Sequence, residues 1–147
     1  MKTEGSYRVV NGGSLLPHID AIHEYLTTSY WAEGIPKKTV RKSMLGSICF
    51  GVLHGKDLVG FCRVITDKAT YAYLADVFVL EAHRGKGLSK CMMDAVKAHK
   101  DLQGIRRSML VTRDAHGLYA KYGFKPLAQP ERHMELVNRD IYKKHRN

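Results

Sequence analysis

Acid is scarce in this chain. Fourteen Asp and Glu stand against 24 Lys and Arg in 147 residues, a formal charge of +10. That deficit favours a polyanionic partner, without deciding between nucleic acid and a phosphorylated small molecule. Long apolar runs are missing too: no stretch approaches the roughly 18 residues of a membrane span. The opening MKTEGSYRVVNGGS has neither the apolar core nor the cleavage site of a signal peptide, so a cytoplasmic location and no membrane partner are expected. The three cysteines, Cys49, Cys62 and Cys91, are odd in number, lack CxxC spacing and sit in apolar segments. They read as small buried hydrophobes, not as a disulfide or zinc set. The eight histidines form no HExxH or HxH pattern, and no metal is expected. A GxxxxGK[ST] phosphate loop is absent, and GxGxxG fails because Lys90 stands where its last glycine belongs.

What the chain does have is an orderly succession of elements in one domain, residues 1–147, without linker or repeat. YRVV predicts a first strand. From Leu16, the apolar positions Ile19, Ile22, Leu26 and Tyr30 recur at helical spacing, and PKKTVRKSML predicts a short second helix between Pro36 and Gly46. SICFGVLH and LVGFCRVIT, separated by GKD, form a hairpin signal, and TYAYLADVFVLE follows as a long strand. Leu88, Cys91, Met92, Ala95, Val96 and His99 mark a third helix with one buried stripe. IRRSMLVT should then lie parallel to the long strand, DAHGLYAKYGF predicts a fourth helix, and RHMELV predicts a last strand. The expected architecture is a mixed α/β (α+β) fold, mostly antiparallel, in the order β-α-α-β-β-β-α-β-α-β.

The basic glycine turn AHRGKGLSK joins the long strand to the third helix. Glycine lets backbone N–H groups approach a ligand, and a helix N-terminus adds partial positive charge, so an anion, most often a phosphate, is the expected guest. The segment VFVLEAHRGKGLSK resembles the acetyl-CoA-binding segment of the GNAT (GCN5-related) N-acetyltransferases, with Arg84 and Gly87 on the pattern and Ser89 at its final small position. DAHGLYAKYGF resembles the A-x-x-L-Y-x-x-x-G-F helix of the same family. The resemblance implies a sheet that splays between its fourth and fifth strands, with backbone near Phe78 and Val79 pairing with the pantetheine arm. It implies that amides over Arg84, Gly85, Lys86, Gly87, Leu88 and Ser89 bind the pyrophosphate, with charge from Arg84, Lys86 and Lys90. Asp114 is either a further cofactor contact or a helix cap.

Acetyl transfer to an amine needs a neutral nucleophile, and deprotonating an alkyl ammonium of pKa near 10.4 at pH 7 costs on the order of 4 to 5 kcal/mol. A base is therefore expected, with an acid beside the departing thiolate. By the resemblance Tyr119 is the acid, although Ala115, Leu118, Tyr119 and Tyr122 share a face that would equally suit a core tyrosine; Tyr122 is the substitute. For the base, Asp76 is an acid within an otherwise apolar strand, placed by alternation on the side of Leu74 and Phe78. Its other reading is a buried ion pair with Arg63. Glu33 lies in the loop that lines the acceptor site in the family, and His83 and His116 are further candidates. Tyr30 and Trp31 would wall the acceptor, or pack the end of the first helix.

The expected function is direct N-acetylation of a small-molecule amine by acetyl-CoA, with no metal and no nucleic-acid partner. A carboxylate-bearing amine held by Arg41 or Arg63 is the preferred acceptor, and a homodimer is an allowed assembly. A basic nucleic-acid-binding module and a GNAT fold that only senses acyl-CoA are the alternatives.

Overall fold

The computed structural model describes residues 2–3 and 6–145. Among the described residues, six strands form one sheet in sequence order: β1 (Lys2–Thr3), β2 (Tyr7–Asn11), β3 (Ile48–His54), β4 (Asp57–Thr66), β5 (Tyr71–Val79) and β6 (Arg107–Leu110). Each neighbouring pair is antiparallel except β5 and β6, which are parallel and joined through α3 (Leu88–Ala98). A parallel pair cannot be closed by a tight turn, so the chain must cross the sheet between them, and the amphipathic α3 is that crossing.

The sheet separates two apolar layers. Phe50, Val52, Val64, Leu74, Leu88, Met92 and Tyr119 cluster on the face covered by α3 and α4 (His116–Ala120). Leu15, Ile22, Leu26, Val40, Met44, Phe61 and Phe78 cluster on the other face, under α1 (Ile19–Leu26) and α2 (Lys37–Leu45). Gly51 permits the close approach on that second face. A Cβ there would stand 2.5 Å from Leu15 Cδ2, which is itself fully buried.

The mixed, mostly antiparallel class stands, and four local expectations are corrected. The first helix is preceded by a 3-10 turn, Gly12–His18, because Pro17 supplies no N–H for an α-helical bond. The fourth helix is a short turn of five residues, and Asp114 does not cap it: Thr112 Oγ1 accepts from Ala115 N at 3.0 Å. RHMELV forms no strand. Pro130 opens a 3-10 turn, Pro130–Arg132, that redirects the chain, and among the described residues 133–137 makes no ladder with β6.

The fourth correction concerns side-chain alternation along β5. Phe61 and Arg63 on β4 stand opposite Phe78 and Ala75, so three steps along β5 answer two along β4. One extra residue reverses the faces beyond it. Leu74 accordingly belongs to the α3 layer and Phe78 to the α1 layer, where simple alternation would have put them together. Asp76 sits within the bulge at φ +56°. Short polar side chains tolerate that left-handed conformation better than bulky ones do.

Candidate active site

The pairing of β6 with β5 ends at Leu110 opposite Leu74, whereas β5 runs on to Val79. From Ala75 to Val79 the β6-side edge of β5 is therefore unpaired, and a cleft of about 1030 Å³ opens there. Ala75 to Val79 form one wall, Leu110 to Ala115 with Leu118 and Tyr119 the opposite wall, and Tyr30 and Trp31 line one end. Arg84 and Ser89 mark where the cleft meets the glycine turn.

That turn is shaped by its two glycines. Gly85 and Gly87 have φ of +79° and +76°, and a Cβ on either would meet nothing within 4 Å. The glycines thus serve backbone conformation, and the space over them is open. Gly87 precedes α3 without a side-chain cap, and the first helical bond is Cys91 N–H to Gly87 C=O at 3.1 Å. The amides of Leu88, Ser89 and Lys90 consequently lie at the uncapped helix start, as an anion would require. Leu88 anchors this start by burying its side chain, while Lys86 and Lys90 remain exposed and Lys90 contacts Asp94 at 3.4 Å. Arg84 ties the turn down: its Nε donates to Val79 O at 2.9 Å, and a terminal nitrogen donates to Tyr25 Oη at 3.2 Å. Tyr25 in turn stacks on Phe78, with ring centroids 4.0 Å apart.

Tyr119 is 6% exposed on the cleft wall, and its hydroxyl makes no hydrogen bond among the described residues. Burial pushes its pKa up to about 12, with the neighbouring Cys62 adding to the effect. It is therefore protonated throughout the neutral range and has a proton to give. Tyr122 is committed elsewhere, because its hydroxyl contacts Asp94 Oδ1 at 2.7 Å and Lys90 O at 3.1 Å and fastens α4 to α3.

Asp76 has both oxygens engaged. Trp31 Nε1 donates to Oδ1 at 2.8 Å and Arg63 Nε donates to Oδ2 at 2.6 Å, with Arg63 also donating to Ser47 Oγ at 2.9 Å. The Arg63–Asp76 pair is largely buried, its side chains 16% and 11% exposed. Glu33 is exposed in the Trp31 loop and outside the cleft lining, as is Arg41 on α2. His83 meets the Tyr7 hydroxyl at 2.8 Å beside β2, and His116 is exposed at the start of α4. Asp114 is exposed on the cleft rim.

Three partners escaped sequence reading. Arg113 places its guanidinium 4.1 Å from the centre of the Tyr30 ring, spanning the cleft mouth from the end of β6 to the loop after α1. Tyr25 had a faint signal, three residues after Ile22 on the apolar stripe of α1. Ser47 had none, since a serine after a helix-ending glycine is ordinary.

An acetyltransferase (GNAT) domain profile matches residues 46–126, which span the hairpin, the glycine turn and the helix carrying Tyr119. A Gibberella zeae protein described as an acetyltransferase, FG08082, is 32% identical over 142 residues, covering 81% of this chain and 78% of that protein. A crystal structure of a GNAT-family protein from Xanthomonas campestris pv. campestris shares 50% identity at a TM-score of 0.88, over 92% of this chain and 96% of the other. A predicted acetyltransferase from Clostridium acetobutylicum, crystallised with acetyl-CoA, shares the fold at a TM-score of 0.65 with 12% identity, over 89% and 96% of the two chains. The class defined by this fold and cleft is an acetyltransferase. The chain belongs to the GNAT family. Among the described residues, no cluster of three or more His, Cys, Asp or Glu could hold a metal ion, and no helix is long and apolar enough to cross a membrane.

Proposed function

We propose that this protein transfers an acetyl group from acetyl-CoA to the primary amine of a small, carboxylate-bearing molecule. The observation that carries the reading is the Tyr119 hydroxyl, buried without a protein partner where β5 and β6 part. An orphaned buried hydroxyl costs stability unless a bound group completes it. The unpaired β5 edge from Ala75 to Val79 suits the amide-bearing arm of the coenzyme, and the amides over Gly85 to Ser89 suit its pyrophosphate.

In this reading the amine nitrogen attacks the thioester carbonyl carbon, the C–S bond breaks, and the Tyr119 O–H gives its proton to the leaving sulfur. The proton lost by the amine leaves through water; Glu33, exposed in the Trp31 loop outside the cleft lining, is the candidate acceptor only at the far end of such a water relay. Asp76 is assigned to positioning, because both of its oxygens already hold Trp31 and Arg63 in place. Arg63 is thereby spent and Arg41 lies outside the cleft lining, so the carboxylate anchor passes to Arg113 at the mouth. The Arg113–Tyr30 contact across that mouth favours a compact acceptor over a protein chain.

The test is thiol release from acetyl-CoA over a panel of amino acids, polyamines, aminoglycosides and lysine peptides. Amino acids or related amino-carboxylates should turn over best, with Arg113→Ala raising their KM. Turnover of spermidine with none of amino acids would refute the acceptor class. Tyr119→Phe should lower kcat about 100-fold, at the low end for lost acid–base catalysis. Unchanged turnover in that variant would remove Tyr119 from the chemistry.

A further inference from the structure

Beyond α4 the chain does not stay on the layer that α4 covers. Leu118, Tyr119, Tyr122 and Phe124 belong to the α3 side of the sheet, whereas Tyr142, in the final 3-10 turn Ile141–His145, packs against the α1 side. Between these two anchorages Glu135 lines the cleft, and Tyr142 lines it as well. The arm from 133 to 145 therefore passes across the cleft in going from one layer to the other. Side-chain exposure agrees: Met134 and Leu136 are 98% and 104% exposed, while Glu135 between them belongs to the cleft wall. Extended backbone sends alternate side chains to opposite sides, so a Glu135 facing the cleft leaves Met134 and Leu136 facing solvent.

One side chain does most to hold this arm down. Arg139 contacts Glu135 at 3.5 Å and Lys143 contacts Asp140 at 3.0 Å, but these four side chains are all at least 69% exposed, and such pairs contribute little. The backbone adds Lys143 N–H to Asp140 C=O at 3.1 Å and joins no ladder among the described residues. Ile141 is 43% exposed, which leaves the partly buried Tyr142 ring as the apolar latch. A segment with so few buried contacts opens at low cost. We propose that the arm is a strap over the acceptor's way into the cleft and that Tyr142 is a specificity-determining residue. With the ring seated, a compact amine passes beneath the arm and a peptide or protein chain does not; with the ring released, larger acceptors enter. This assignment rests on the acetyl transfer proposed above and gives its preference for a compact acceptor a second structural cause.

Acceptor selectivity of the full chain reads the strap directly. Tyr142→Ala should raise kcat/KM for a lysine peptide relative to an amino-carboxylate by about tenfold or more, within the range that a pocket wall controls. Tyr142→Phe keeps the ring and should keep wild-type selectivity. A second readout needs no turnover. Trp31 is the single tryptophan, lines the same cleft and is 40% exposed, so acrylamide quenching of its emission should rise about twofold in Tyr142→Ala and stay at the wild-type value in Tyr142→Phe. Both variants should keep wild-type circular dichroism and a cooperative melt, because the latch lies outside the sheet. Unchanged quenching in the alanine variant, or an unchanged acceptor ratio in an active one, would overturn the strap. A wild-type protein that acetylates no amine would refute the proposed reaction instead, and quenching would still decide whether the arm covers the cleft.

Discussion

Replacing Asp76 by Asn separates the two roles its position could serve. The amide keeps an oxygen for Trp31 Nε1 and tolerates φ of +56°, but it withdraws the negative charge from Arg63, whose side chain is only 16% exposed. Removing one partner of a buried pair typically costs 3–5 kcal/mol; the amide nitrogen that replaces Oδ2 cannot accept from Arg63 Nε, and with Ser47 still accepting from Arg63 about 3 kcal/mol is expected. For a chain of this length that lowers Tm by roughly 5–10 °C. Asp76→Ala should fall further, by about 1 kcal/mol, because a Cβ without a polar head is disfavoured in the left-handed region. Asp76→Ala also releases Trp31 Nε1, so under the proposed reading of Tyr30 and Trp31 as the acceptor wall KM for the amine should rise about tenfold in that variant, the equivalent of 1.4 kcal/mol of lost positioning. The acetyl-CoA affinity should stay within twofold, since the glycine turn is untouched. Urea unfolding, thermal melts and steady-state kinetics read all of these. An Asn variant with wild-type Tm, unchanged amine KM and kcat lowered more than a hundredfold would refute the positioning role and make Asp76 the base.

Two further predictions follow from the same geometry. Gly87→Val forces a β-branched residue to φ of +76° at the start of α3, so thermal stabilisation by acetyl-CoA, expected near 2.7 kcal/mol at about a hundred times its Kd, should vanish; a variant that retained the shift would move the coenzyme away from this turn. Alkaline stability should depend on groups whose protons folding holds: Tyr119, raised from 10.0 to about 12 by burial, and Cys49, raised from 9.0 to about 11 by burial against the opposing effect of Arg63. Such groups stabilise fully below their unfolded pKa, so each contributes up to about 3 kcal/mol that is lost as pH rises from 9 to 12. Cys49→Ala and Tyr119→Phe should flatten that part of the stability profile, and an unchanged slope in both would contradict the assigned burial.

Sequence reading was accurate where one local rule acts alone. The hairpin around Gly55, the stripe of α3 and the parallel β6 follow from turn chemistry, helical spacing and the need for a crossover, and each lies where expected. It failed where a distant partner decides. The Leu74–Asp76–Phe78 alternation was regular in sequence, but the register of β4 inserts a residue that only the pairing reveals. RHMELV has a strand's alternation but no ladder partner among the described residues. Asp114 has the right side chain for a cap, yet Thr112, two residues earlier, is the one in reach of Ala115 N. The glycine turn was legible because glycine at positive φ is a local demand, whereas Arg113 over Tyr30 joins segments 83 residues apart in sequence, for which the chain offers no signal.

The inserted residue in β5 also explains why the cleft and the Tyr30–Trp31 wall occur together. Up to Leu74 the strand is bonded on both sides; at the bulge it twists more strongly, and from there β6 no longer follows. The ladder groups released by that parting form the free β5 edge to which the proposed function assigns the coenzyme arm. The same inserted step turns Asp76 toward Trp31, which fixes the loop after α1, and turns Phe78 toward Tyr25, whose hydroxyl receives Arg84 from the glycine turn. One residue of register therefore links the loop after α1 and the glycine turn through Asp76–Trp31 on one side and Phe78–Tyr25–Arg84 on the other. Restoring perfect alternation would close the ladder, exchange the faces of Phe78 and Val79, and remove both supports at once. The strain of a left-handed aspartate is small beside that, and it persists because Arg63, Trp31 and Ser47 hold it from one end while the Phe78–Tyr25 stack holds the other.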